Sequence, residues 1–71
     1  MKQGDEKGFL EVMHYLSLNF PEREMTSDLM RSYFQDLFDY SLDDVRTAAK
    51  AYVQIGARFP LVSDFISLLS A

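Results

Sequence analysis

Apolar side chains recur along this chain at intervals of three and four residues and nowhere alternate as a strand would, so the pattern predicts a succession of helices. The first series is Phe9, Val12, Met13, Leu16 and Phe20, with Leu10 and Leu18 widening the stripe beyond a single seam. So wide a stripe needs cover on both flanks. The helix is expected over about residues 5–19, with Asp5 at its N-cap, Glu6 facing the positive end of its dipole, and Pro21 closing it. Residues 1–4 are expected to be disordered, and Glu22-Arg23-Glu24 to form a charged turn before Met25.

A second helix is expected over 27–39, capped by Thr26 or Ser27, with Asp28 in its first turn. Leu29, Met30, Tyr33, Phe34, Leu37 and Phe38 give it a broad aromatic face, which places it at the centre of the core. Only Asp39-Tyr40-Ser41 separates it from a third helix over 42–55, and so short a link predicts a helical hairpin. Ser41 followed by Asp44 has the form of a capping box with Asp in place of the usual Glu or Gln. Leu42, Val45, Ala49, Tyr52 and Val53 fall on one face of the third helix, and Asp43, Arg46, Thr47, Lys50 and Gln54 on the other. Gly56 is expected to end it in the left-handed conformation. Pro60 blocks further helix and forces Phe59 to be extended, which presents Phe59 as an anchor. Ser63 is the expected N-cap of a last helix over 64–70, with Asp64 first and Phe65, Ile66, Leu68 and Leu69 as its apolar residues. About two turns are not stable alone; this helix either docks on the other three or is the start of a longer one.

Composition sharpens the picture. Seventy-one residues make one domain, and a chain of this size buries only about 60% of its unfolded surface. With 48% hydrophobic residues the chain is too apolar for disorder. No run approaches the roughly 20 apolar residues that cross a bilayer. The fold class expected is an all-α, four-helix mini-domain, three main helices plus a short C-terminal one. The polar start MKQGDEKG has no signal-like apolar region, so the cytosol is the expected compartment. Cysteine is absent and His14 is the only histidine, which excludes a disulfide framework and a zinc site built from Cys or His. Seven basic against eleven acidic residues give a net charge of −4, which argues against direct nucleic-acid binding and for a protein partner.

No catalytic constellation or cofactor motif stands out. His14 lies mid-helix beside Met13 and Tyr15 with no nucleophile to serve. Asp36, Asp39, Asp43 and Asp44 cluster near the second junction, but Asp43 and Asp44 suit the first turn of a helix without any metal, and the EF-hand order with its central Gly is absent. Arg46 and Lys50 share a face with Asp43 one turn before, an ordinary solvated arrangement. Together with Arg58, Asp39 and Asp43 they are the candidate partner contacts. The four methionines read as core filler. Six phenylalanines and four tyrosines are the one compositional surplus; tyrosines exposed on one face would mark an interface.

Several of these residues resemble the phage replicative-helicase loader and inhibitor family, small helical proteins that accompany a DnaB-type hexameric helicase. The likeness runs through Asn19-Phe20-Pro21, Tyr33-Phe34, Leu37 to Val45, Ala48 or Ala49, Arg58-Phe59-Pro60 and Ser63-Asp64-Phe65, covering roughly residues 8–66. It implies a non-enzymatic accessory protein of a phage or prophage, acting in the cytosol of a bacterial host on a replication protein. Leu61 departs from the second proline that family usually shows, and its members extend further, into a tail that contacts the helicase. The chain is thus expected to match the folded N-terminal domain, or a shorter relative with another partner, and no family binding residue is carried over. Two further readings compete: an acidic inhibitor that mimics nucleic acid through Asp36, Asp39, Asp43 and Asp44, and a self-associating helical module. The oligomeric state stays open.

Overall fold

In a computed structural model, which describes residues 1–70, a 3-10 turn at Gln3–Asp5 leads into helices α1 (Glu6–Asn19), α2 (Ser27–Asp36), α3 (Leu42–Ile55) and α4 (Val62–Leu69), with no strand among the described residues. The all-α, four-helix mini-domain is therefore the fold. Near its start α1 meets α3 at Gly8, where an added Cβ would come within 2.5 Å of Leu42 Cδ2. Just past the end of α1, Phe20 stands edge-on to Tyr52 near the end of α3, with ring centroids 5.7 Å apart. The two longest helices thus run parallel.

The most extensive contacts are those of α3 with α4 and with α1, while α2 rests on α1. The expected hairpin of the second and third helices does not form. α2 stops at Asp36, three residues short of the expected end, and the chain tightens: Leu37 N–H bonds Tyr33 O, and Phe38 N–H and Tyr40 N–H reach only three residues back, to Gln35 O and Leu37 O. Fully buried Leu37 anchors this turn. The chain changes direction at this turn, and α3 packs on α1 and α4 instead of returning along α2.

Helix punctuation follows the sequence in places and departs from it in others. Ser41 caps α3, its Oγ accepting from Asp44 N–H at 3.1 Å. Thr26 does the same for α2, accepting from Leu29 N–H at 3.1 Å. Asp5 does not cap α1 with its side chain; Oδ2 accepts from Lys2 N–H at 2.9 Å and closes the 3-10 turn instead. The first residues, expected to be disordered, are held: Met1 packs against the core and its ammonium donates to Phe38 O and Tyr40 O. Ser63 is not the cap of α4, which starts one residue earlier, at Val62. Asp64, third in the helix, reaches back to accept from Leu61 N–H at 2.8 Å, the carboxylate half of a capping box whose N-cap, Leu61, has no hydroxyl to supply the other half. Gly56 is extended, at φ −82° and ψ 148°, not left-handed. Its need for glycine is steric, because a Cβ there would lie 2.2 Å from Cε2 of Tyr52.

The core takes the expected stripe Phe9, Val12, Met13, Leu16 and Phe20 from α1 and its end, and none of the ten aromatic side chains is left exposed. The aromatic surplus is internal. Edge-to-face pairs join Phe9 to Phe34 at 5.4 Å and Tyr33 to both Phe59 and Phe65, at 6.2 and 6.5 Å, linking α1, α2, the α3–α4 connection and α4. Leu10 and Leu18, assigned to the widened stripe, are exposed, Leu18 at 68%. With three other helices of modest length there is nothing to cover the outer flanks of α1.

Candidate interaction surface

The connection between α3 and α4 has no regular structure, yet every residue from Arg58 to Leu61 has a backbone group held by a side chain. Tyr52 OH donates to Arg58 O at 2.8 Å. The Phe59 N–H donates to Glu22 Oε2 at 2.7 Å. Tyr33 OH donates to the Pro60 carbonyl at 2.8 Å, a buried bond, and Leu61 N–H is held by Asp64. Proline makes this possible. It denies the segment a helical turn, so its polar groups must be satisfied from outside, and the α1–α2 connection, α2, α3 and α4 each supply one partner. Phe59, expected as an anchor, is 5% exposed and packs edge-on against Tyr33; Pro60 is fully buried.

Outside this pinned segment lies an open cleft of about 380 Å³, lined by Glu22, Arg23, Arg58, Phe59 and Leu61. The one acid of its lining, Glu22, and the nearby Asp64 are already engaged. Glu22 holds Phe59, and Asp64 at the edge holds Leu61 and receives Arg58 Nη1 at 3.2 Å. The Arg58 side chain remains 59% exposed, so that ion pair is weak. Arg23 forms no ion pair among the described residues. Burial raises the pKa of the Tyr33 hydroxyl above its ordinary 10.0, against the pull of the Arg23 and Arg58 guanidinium charges and with a push from Asp64. Both arginines are thus close enough to act on a group beneath the cleft.

A second, larger groove of about 410 Å³ runs between α1 and α2, with Phe9 and Phe34 in its floor and Leu10 and Met30 on its sides. Glu6 and Arg31 both stand on its rim, so its charge favours neither sign.

The remaining candidate residues do not converge. Arg46 and Asp43 satisfy each other at 3.1 Å across one turn of α3. Lys50 and Asp39 are exposed, on α3 and on the α2–α3 link. Asp36 and Asp44 are exposed as well, and among the described residues no group of three or more His, Asp or Glu could hold a metal ion. His14 is exposed on α1. Of the expected partner contacts only Arg58 lies in a cleft; the residues beside it, Glu22, Arg23 and Leu61, are not among those expected contacts. Their one signal was a charged turn next to Pro21. No helix among the described residues is long and apolar enough to cross a membrane. No family model, curated protein or solved structure matches the chain, so the likeness to helicase-accessory proteins rests on the residues quoted for it.

Proposed function

We propose that this protein is a non-enzymatic binding module, an accessory protein of phage or prophage type that acts by docking on a replication protein, with a DnaB-type hexameric helicase as the partner its sequence resemblance implies. The observation that carries this reading is the Arg58–Leu61 segment, irregular in backbone yet fixed at each of its four residues, with charged and aliphatic side chains turned outward. A surface ordered before contact avoids the ordering cost that a mobile loop incurs on binding. Pull-down with the replicative helicase of the host and an assay of its ATP hydrolysis test the reading. Association with altered hydrolysis supports it; no association and no change refutes the helicase assignment.

The acidic-mimic reading has one observation in its favour, the exposure of Asp36, Asp39, Asp43 and Asp44 together. Changing all four to Asn should abolish partner binding if they imitate phosphates and leave it nearly intact if the arginine cleft is the contact.

A further inference from the structure

We propose that the cleft between the α1–α2 and α3–α4 connections docks an acidic segment of a partner protein, one with a carboxylate next to an aliphatic side chain. The inference rests on the binding-module reading and specifies the chemistry of its partner.

The cleft holds more guanidinium donors than its own acids occupy. In a molecule of net charge −4, two guanidinium groups line one small cleft. Of the side chains lining the cleft only Glu22 is acidic, so the lining carries one positive charge in excess; Glu22 accepts from Phe59 N–H, and Asp64, just outside, accepts from Leu61 N–H and from Arg58. Arg58 directs Nη1 to Asp64 and to the Phe59 carbonyl, which leaves most of its five donors free. Arg23 has all of its donors free of any ion pair among the described residues. A carboxylate matches such a planar fork with two parallel bonds. Leu61, 47% exposed, adds an aliphatic wall that a carboxylate alone leaves uncovered, which calls for an apolar side chain adjoining the acid. A nucleic-acid strand fits less well: two cations are few for a phosphate backbone, the surrounding negative charge repels a polyanion more strongly than one or two carboxylates, and a phosphate gains nothing from Leu61. The α1–α2 groove, with one acid and one base on its rim, offers no comparable selection.

The test is titration of the 15N-labelled protein with the peptide acetyl-Glu-Leu-Glu-Leu-amide, followed by amide and arginine side-chain resonances. Saturable shifts confined to Arg23, Arg58, Leu61 and their neighbours are expected. The Gln-Leu-Gln-Leu analogue should bind about tenfold more weakly, since a charge-assisted hydrogen bond contributes about 1.5 kcal/mol or more and about 1.4 kcal/mol is tenfold. Arg23→Gln, which removes no hydrogen bond or ion pair of the fold, should weaken the acidic peptide severalfold with an unchanged melting temperature, and the Arg23→Gln/Arg58→Gln pair more. No saturable shift at these residues, equal binding of the Gln analogue, or an Arg23→Gln response like that of wild type would each overturn the proposal. Tighter binding of a ten-residue thymidine oligonucleotide than of the acidic peptide would overturn it too, in favour of a nucleic-acid surface. The failures stay distinguishable: a partner captured equally by wild type and by the double variant sinks this surface and spares the binding-module reading.

Discussion

Replacing Gly56 by alanine separates two physical accounts of how α3 ends. If glycine were needed for a left-handed backbone, alanine would cost about 1 kcal/mol and asparagine, which tolerates that conformation, would cost less. The backbone here is extended and open to any residue, and what excludes a side chain is the Tyr52 ring, 2.2 Å from the added Cβ at Cε2 and 2.4 Å at Cζ. That ring is 8% exposed, bonded through its hydroxyl to Arg58 O and packed on Phe20. Swinging it aside forfeits a hydrogen bond of about 1 kcal/mol and an aromatic contact of about 0.5–1.5 kcal/mol; keeping it in place by shifting backbone costs about 1–3 kcal/mol. Either route gives about 2 kcal/mol. The narrower unfolded ensemble of alanine offsets about 0.4–1 kcal/mol of that. Gly56→Ala should therefore destabilise by about 1–2 kcal/mol, or roughly 5–15 °C in melting temperature for a domain this small. Urea unfolding followed by far-ultraviolet circular dichroism reads the shift. Gly56→Asn should fare no better than Gly56→Ala. A double-mutant cycle with Tyr52→Phe isolates the mechanism: removing the hydroxyl should cost about 1 kcal/mol in the wild type and close to nothing where Gly56→Ala has already displaced the ring. A neutral Gly56→Ala or a rescue by asparagine would refute the steric account, and strict additivity in the cycle would show that the backbone and not the ring gives way.

Three further positions give outcomes of the same kind, Tyr33 and Glu22 at this connection and Gly8 at the far end of α1 and α3. Tyr33→Phe leaves the buried Pro60 carbonyl without its donor and should cost about 1–3 kcal/mol in the same unfolding assay. Because burial raises the Tyr33 pKa above 10.0, the unfolded chain releases that proton first, so wild-type stability is intact below pH 10 and falls as pH rises beyond it; Tyr33→Phe should lose this part of the alkaline decline. Glu22→Ala should destabilise by about 1–2 kcal/mol through the orphaned Phe59 N–H, and Glu22→Gln, which keeps an acceptor oxygen, by clearly less; equal losses would show that the charge and not the hydrogen bond matters. Gly8→Ala should be nearly neutral or stabilising despite a clash on paper, since only the tip of the half-buried Leu42 side chain stands in the way and alanine gains about 1 kcal/mol of helix propensity; a loss above about 1 kcal/mol would show that Leu42 cannot yield.

What could and could not be read from the residues in order divides along the distance between partners. Ser41 and Thr26 cap helices through bonds spanning three residues, and the buried stripe of α1 is a matter of spacing, so local patterns sufficed for both. The errors begin where a distant group decides a local conformation. Gly56 carries the residue type of a left-handed cap, yet a ring four residues earlier determines what fits there, and that ring's position depends on its bond to Arg58, beyond the helix. Ser63 is a good capping residue displaced by Asp64, because Pro60 set the path of the chain into α4 and left Leu61 N–H as the donor to be satisfied. The cleft is the extreme case. Glu22 meets Phe59 across 37 residues and Tyr33 meets Pro60 across 27, so neither turn alone contains the information that makes the two one surface. Pro60 is nevertheless a local signal of this surface. A proline with no helix around it leaves backbone groups that must find partners elsewhere in the chain, and in a domain this small those partners bring their charged neighbours with them, which is how Arg23 comes to stand beside Arg58.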